Sequence, residues 1–466
     1  MLLLPSLLSL FGTGCNDTAA VVRVSSDRAP GELDAVCLEF DADAVARFGR
    51  RYDLQAHALP QTLTALAGGR SSMQALVYGL RHGVEIARAR KQVPFRGGSI
   101  LQVELALDAC VPSPRTPMWM PASFQSADAG DRAALVPSPP LESMVMDAAI
   151  AATTARLSRY AASSSGIAAV GGGVPSAPAG PVHQLLAADL DADCRQDLIV
   201  LADNTAPLVA TRAATGEWVA QPGALPPVLA GGATGAAAGD VDGDGNPDLV
   251  LVGGAEAHLL INDGAGRFRE AAAAFDVAPT DATAVALGDL DGDGHLDAVI
   301  AQGSAAPGLT RVYLNDAKGT GHFTMVAAAL PPRAERDSAI ALGDVDGNGT
   351  LDLVVAHLGA PVRLFLNRGD ALLEDRSFGG LPDQVSGDVP TLLLTDLNGD
   401  CLPDLVIPRA GAAPLFWANA GGGHFAAGDP FPVAAALGAA ADDVNGDGLP
   451  DLLFFAAGGL TLLVQQ

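Results

Sequence analysis

The sequence predicts an all-β chain whose larger part is a propeller of short antiparallel sheets, and three observations carry that prediction. A nine-residue acidic phrase occurs six times, beginning at Asp189, Asp240, Asp289, Asp344, Asp396 and Asp443. The intervals between copies are 51, 49, 55, 52 and 47 residues. Apolar runs of strand character flank each copy, as Ala236-Ala237-Ala238-Gly239 and Leu249-Val250-Leu251-Val252 flank the second. Self-similarity at such a period marks stacked supersecondary units that bury their faces on one another.

Each unit reads as about four strands. One precedes the acidic phrase and one follows it. A third ends near an Asn, and a glycine-rich turn then leads to a Phe. Examples are Leu259-Leu260-Ile261-Asn262 with Gly266-Arg267-Phe268, Val312-Tyr313-Leu314-Asn315 with Gly321-His322-Phe323, and Leu415-Phe416-Trp417-Ala418-Asn419 with Gly423-His424-Phe425. Unbroken apolar runs after the phrases imply strands covered on both faces. The last unit stops at Leu460–Val464 without a fourth strand, and Ile167–Val170 is the candidate to complete it. The count of loops favours six blades, with seven the alternative.

Oxygen-bearing side chains fall at positions 1, 3, 5 and 9 of every phrase. The candidate ligands are Asp189, Asp191, Asp193 and Asp197; Asp240, Asp242, Asp244 and Asp248; Asp289, Asp291, Asp293 and Asp297; Asp344, Asp346, Asn348 and Asp352; Asp396, Asn398, Asp400 and Asp404; and Asp443, Asn445, Asp447 and Asp451. Carboxylates crowded this closely repel unless a cation sits among them. Ca²⁺ accepts six to eight oxygens in forgiving geometry, whereas Mg²⁺ demands a tight octahedron. No His or Cys recurs at zinc-ligand spacing. Glycine at positions 4 and 6 permits the positive φ that wraps backbone around an ion. Cys194 and Cys401 replace glycine at position 6, and Ala192 replaces it at position 4 of the first loop. Up to six Ca²⁺ are expected, the first loop being the weakest fit. An EF-hand is excluded, since position 12 is apolar (Leu251, Ile300, Val355, Ile407, Phe454) and the flanks are not helical in pattern.

This phrase and its period resemble the FG-GAP/VCBS repeats of integrin-α-type β-propellers, over roughly Pro181 to the C-terminus. The resemblance implies a loop that joins two blade strands and holds Ca²⁺ through positions 1, 3, 5 and 9 and a backbone carbonyl at 7.

Ahead of the 181–466 propeller, residues 21–110 read as a small β-sandwich. Its strand-like runs are Val36–Phe40, Gln61–Leu66, Met73–Tyr78, Val84–Ala87 and Ile100–Leu107, parted by glycine turns. Residues 111–180 read as a Pro/Ala/Ser linker with one amphipathic helix near 141–162. The apolar segment 1–15 resembles a bacterial lipoprotein export signal, which implies lipidation of Cys15; plain secretion is the alternative. In an exported chain a Cys37–Cys110 bridge would staple the sandwich. Cys194 and Cys401, at one loop position in two units, form a second candidate pair.

Acids outnumber bases 53 to 27, giving a net charge of −26. That balance argues against nucleic acid or an anionic membrane surface as partner. No G-x-S-x-G elbow, H-E-x-x-H pair or P-loop occurs, so no catalytic residue and no organic cofactor are expected. The expected role is a non-catalytic protein-interaction or adhesion scaffold on the bacterial envelope, either an outer-membrane lipoprotein or periplasmic. A glycan-binding propeller or an accessory subunit of a surface enzyme complex are the alternatives. Tyr313, Phe365 and Trp417, at matching strand positions, would either stack on sugars or pack between blades. Arg368-Gly369-Asp370 spells an adhesion tripeptide, a match common by chance.

Overall fold

A computed structural model describes residues 19–26, 33, 35–42, 46–54, 61–66, 72–81, 84–94, 100–106, 117–122, 159–163, 166–170, 182–193, 197–202, 204–213, 218–227, 232–253, 256–279, 281–303, 310–316, 321–331, 335–382, 387–442, 450–456 and 459–465. The chain divides into two compact units, one of residues 1–80 and 85–109, the other of 81–84 and 110–466.

The first unit contains two sheets. One runs Gln61–Leu66, Ala19–Ser25, Ile100–Ala106, and its second pair is parallel. The other is antiparallel and runs Ala46–Asp53, Ala35–Ala42, Ser72–Arg81, Val84–Pro94. Ala19–Ser25 and Ala46–Asp53 were not foreseen as strands. Arg23 interrupts one apolar run, and Arg47, Arg50 and Arg51 give the other a polar look that conceals it.

The second unit is a propeller. Among the described residues it holds six four-stranded antiparallel sheets, at 182–220, 235–270, 282–325, 337–375, 393–427 and 438–465. In the second blade the strands are Gly235–Gly239, Asp248–Gly253, Glu256–Asn262 and Phe268–Glu270, paired in sequence order. First strands of successive blades pack on one another.

Core residues lie between blades. Leu249 and Leu251 face the first blade, joining Ile199, Leu201 and Val209. Their neighbours Val250 and Val252 face the third, joining Ala298, Ile300 and Tyr313. Because strand side chains alternate between faces, a strand sandwiched on both sides must be apolar throughout. All six residues of Asp248–Gly253 are buried accordingly. Each fully buried Val or Leu stabilises by roughly 1.5–3 kcal/mol.

Close approach between blades explains one glycine. A Cβ on Gly288, just ahead of the third loop, would lie 2.5 Å from Leu351 Cδ1 of the next blade. The residue before the loop is thus a socket for position 8 of the neighbouring loop.

Two expectations are corrected. The sixth blade draws its fourth strand from Trp119–Ala122, not from Ile167–Val170, with Gln465 opposite Trp119 and Leu462 opposite Ala122. Ile167–Val170 instead belongs to the strand Gly166–Val170, which forms a hairpin with Arg159–Ser163. The expected helix near 141–162 therefore gives way to strand at its end, and its other residues lie outside those described. Both strands fall in what read as linker, where small Ala and Ser residues give no strong period. Among the described residues no helix is long and apolar enough to cross a membrane.

Candidate metal centres

Each acidic loop joins the first and second strands of a blade. In the second blade, position 9 (Asp248) opens the second strand and is fully buried. Its Oδ1 accepts from the Asn262 N–H at 2.8 Å and its Oδ2 from the Val241 N–H at 2.9 Å. Position 1 (Asp240) accepts from the Gly245 N–H at 2.9 Å through Oδ2. Its Oδ1 is buried and takes no hydrogen bond of ordinary geometry, whereas the position-1 Oδ1 of Asp289, Asp344 and Asp396 accepts from the N–H of Gly292, Gly347 and Gly399 at 2.8, 2.8 and 2.6 Å. Gly243 and Gly245 hold positive φ of 75° and 88°.

The other loops repeat this plan. Asp297, Asp352 and Asp404 each accept from the position-2 N–H of their own loop, at 2.8, 2.9 and 3.0 Å. Gly294, Gly349 and Cys401 at position 6 donate their N–H to position 1 at 3.1, 2.8 and 2.9 Å. The substituted residues Ala192 and Cys401 hold φ of 57° and 69°. Keeping a side chain in that region costs about 1–2 kcal/mol, so the loop conformation is kept where glycine is lost.

Three carboxylates converge in each of four loops. Ligand oxygens of Asp189, Asp191 and Asp197 lie within 4.8 Å of one another, as do those of Asp240, Asp242 and Asp248, of Asp289, Asp291 and Asp297, and of Asp344, Asp346 and Asp352. These are positions 1, 3 and 9. Asp244 and Asp293 at position 5 are not among these groups, and position 5 caps its loop: Asp244 accepts from Asn246 N–H at 2.8 Å, Asp293 from His295 N–H at 2.9 Å and Asn348 from Thr350 N–H at 2.7 Å. Asp193 is likewise outside the first group. In the fifth loop Asn398 replaces the position-3 carboxylate and donates to Asp400 at 3.0 Å, leaving Asp396 and Asp404 as the flanking acids. Asp443, Asn445 and Asp447 lie outside the described residues, while Asp451 is fully buried and accepts from Gln465 N–H at 2.8 Å.

The residues present fit a hard cation. All donors are oxygens, and burial raises the cost of their charge. Burial, with Asp191 beside it, pushes Asp197 up to about 8. Burial chiefly, with smaller contributions from neighbouring loop carboxylates, raises Asp248 and Asp297 to about 7 and Asp240, Asp352 and Asp404 to about 6. Groups so placed either take up protons or hold a cation.

Sequence reasoning marked an Asn near the end of the third strand without seeing its task. Asn262, Asn315, Asn367 and Asn419 reach across to the preceding blade and donate Nδ2 to the position-2 carbonyls of Leu190, Val241, Leu290 and Val345, at 2.9, 2.9, 2.7 and 2.9 Å. Gln465 does the same to Leu397 at 2.8 Å. The signal was available: these residues follow position 9 by 14 to 18 residues in every case.

Other candidates resolve differently. Tyr313, Phe365 and Trp417 are 0, 0 and 3% exposed, so they pack between blades and offer no face to a sugar. Arg368-Gly369-Asp370 sits between the third and fourth strands of its blade, with Arg368 bonded to Glu374 at 2.5 Å. Cys401 is disulfide-bonded. Cys15, Cys110 and Cys194 lie outside the described residues, as does the side chain of Cys37.

Four stretches, 189–251, 240–300, 299–355 and 396–454, match the FG-GAP-like repeat. Among solved structures, the chain is similar to a lectin of Agrocybe aegerita reported to recognise non-reducing terminal N-acetylglucosamine, at 19% identity over 63% of this chain and 80% of that one, with a TM-score of 0.41. It is similar also to the Dos1 propeller, at 13% identity over 62% and 69% with a TM-score of 0.40. A third is the computationally designed Ika8 protein, at 14% over 71% and 98% with a TM-score of 0.42. No curated protein matches the chain.

Proposed function

We propose that this FG-GAP repeat propeller is a calcium-stabilised, non-catalytic scaffold for protein interaction or adhesion, exported and held at the bacterial envelope by a lipid on Cys15. One observation carries the calcium reading. The carboxylates of positions 1, 3 and 9 converge within 4.8 Å in four separate loops, and the position-9 carboxylate is buried in each. The ions are structural in this reading. Each clamps the corner between a blade's first two strands and offsets carboxylate repulsion. The blades then form a stiff platform whose outer loops, which differ from unit to unit, meet the partner.

Several features support the remainder. A disulfide at Cys401 suits an oxidising compartment. A net charge of −26 disfavours nucleic acid. Burial of Tyr313, Phe365 and Trp417 weakens the glycan alternative, leaving a protein partner as the better reading.

Elemental analysis of purified, dialysed protein tests the calcium reading. Several bound Ca²⁺ per chain support it, and none refutes it. For the anchor, metabolic labelling with an alkyne fatty acid should mark the wild type and not Cys15→Ala. Labelling of neither would remove the anchor from the proposal. Cross-linking on intact cells followed by mass spectrometry should return a discrete envelope protein; recovery of glycan alone would favour the alternative.

A further inference from the structure

Side chains on the third strands link the acidic loops into one continuous hydrogen-bonded relay. Its repeat is short. Asp248 Oδ2 accepts from the Val241 N–H at 2.9 Å, and the Val241 carbonyl accepts from Asn315 Nδ2 at 2.9 Å. The N–H of Asn315 then donates to Asp297 Oδ1 of its own blade at 2.9 Å. Asp297 Oδ2 accepts from the Leu290 N–H at 2.8 Å, and the next repeat begins. The same steps run unbroken from Asp197 to Asp451, crossing five seams through Asn262, Asn315, Asn367, Asn419 and Gln465.

The bridging side chains are no more than 5% exposed. Their partners cannot be exchanged for water, so a shift in one loop must be followed by its neighbour or leave a buried amide unsatisfied. The bridged carbonyl is also well placed to report on a metal. It belongs to the peptide that leads into position 3, and the N–H of the same residue holds position 9. Positions 3 and 9 are two of the three carboxylates that converge. An ion drawing them together therefore sets the acceptor that the adjacent blade needs.

We propose that Asn262, Asn315, Asn367, Asn419 and Gln465 are positioning residues that couple the loops, so that calcium binds to them cooperatively and a defect in one loop weakens its neighbours. This rests on the calcium reading above. None of the five is a candidate ligand, so the coupling is separable from ligation.

Calcium titration of the full chain, by calorimetry and by competition with a chromophoric chelator, tests it. Wild type should give a Hill coefficient above 1. Asp291→Ala, which removes one ligand from the third loop, should weaken the remaining sites by about fivefold or more, the usual lower end of coupling between sites. In an Asn315→Ala/Asn367→Ala background, which cuts both bridges flanking that loop, Asp291→Ala should remove one ion and leave the others unchanged. Independent sites in wild type, or coupling that survives the double substitution, would overturn the proposal. A wild type that binds no calcium would overturn the calcium reading together with it. Should the doubly substituted protein not fold, hydrogen exchange on Asp291→Ala in calcium decides. Faster exchange at the Val241 and Val345 amides of the neighbouring loops supports coupling, and unchanged protection there rejects it.

Discussion

His357 and Asp337 face each other fully buried across the first two strands of the fourth blade, with Nδ1 2.8 Å from Oδ1. They sit at the end of those strands away from the acidic loop, and among the described residues no other blade pairs His with Asp between its first two strands. Thr310 of the third blade donates both its N–H, at 3.1 Å, and its hydroxyl to Asp337 Oδ2. The carboxylate therefore joins two blades. Removing His357 takes one donor from a buried carboxylate that keeps its Thr310 bonds, at about 1–3 kcal/mol. His357→Ala should lower the stability read from urea denaturation by that order. His258→Ala, whose carboxylate partners are exposed, should cost less than about 1 kcal/mol. Equal losses would mean that the buried pair has no special weight.

Calcium and pH should act in opposite senses. Without the ion, Asp197 stands at about 8 and Asp248 and Asp297 at about 7, all raised from 3.8. A carboxyl raised in the folded state binds its proton more tightly there than in the unfolded chain. Its contribution is present in full below pH about 4 and is lost as pH climbs through 7 to 8. The melting temperature of calcium-free protein should thus fall between pH 5 and pH 8. Protons and calcium compete for the same oxygens, so the stabilisation given by excess calcium should grow over that window. At a free concentration one hundred times Kd, each site adds about 2.7 kcal/mol. Parallel pH profiles with and without calcium would rule out metal binding by these carboxylates.

Position 9 should matter more than position 5 even without metal. Asp248→Ala leaves the Val241 and Asn262 N–H groups unsatisfied in a buried place, at about 1–3 kcal/mol each. Asp244→Ala removes one exposed capping bond, worth about 1 kcal/mol or less. Chemical denaturation in a chelator should separate the two variants by at least about 1 kcal/mol.

Gly288→Ala should destabilise by no more than about 1 kcal/mol, the low end of overpacking, because the new methyl meets at 2.5 Å only Leu351 Cδ1, the tip of a half-buried side chain that can turn aside. Leu351→Ala vacates the same space. The double variant should therefore lose less than the sum of the single losses, and strict additivity in that cycle would show that the two positions are not in contact.

Much of the propeller was legible because the signals were both local and repeated. Asp-x-Asp-x-Asp-Gly phrases and the apolar runs behind them occur once per blade, and each blade's first pairing is a hairpin closed by that phrase. What could not be read depends on contacts between distant segments. Trp119–Ala122 carries no more strand character than Ile167–Val170, and only its place beside Gly459–Gln465 makes it part of a blade. Spacing showed that position 5 bears an oxygen but not that the oxygen also caps its loop, as Asp244 does for the Asn246 N–H. Asn315 was visible as a landmark, yet its acceptor lies 74 residues away.

The strand borrowed by the sixth blade bears on how the chain is made. The first five blades close on neighbours in sequence and have all their strands soon after each leaves the ribosome. The sixth waits, since Trp119 is synthesised long before its partner Gln465. A pairing of such long reach forms late and slowly. Any product truncated before Gly459 would leave the Trp119–Ala122 edge without its template, open to another chain's strand.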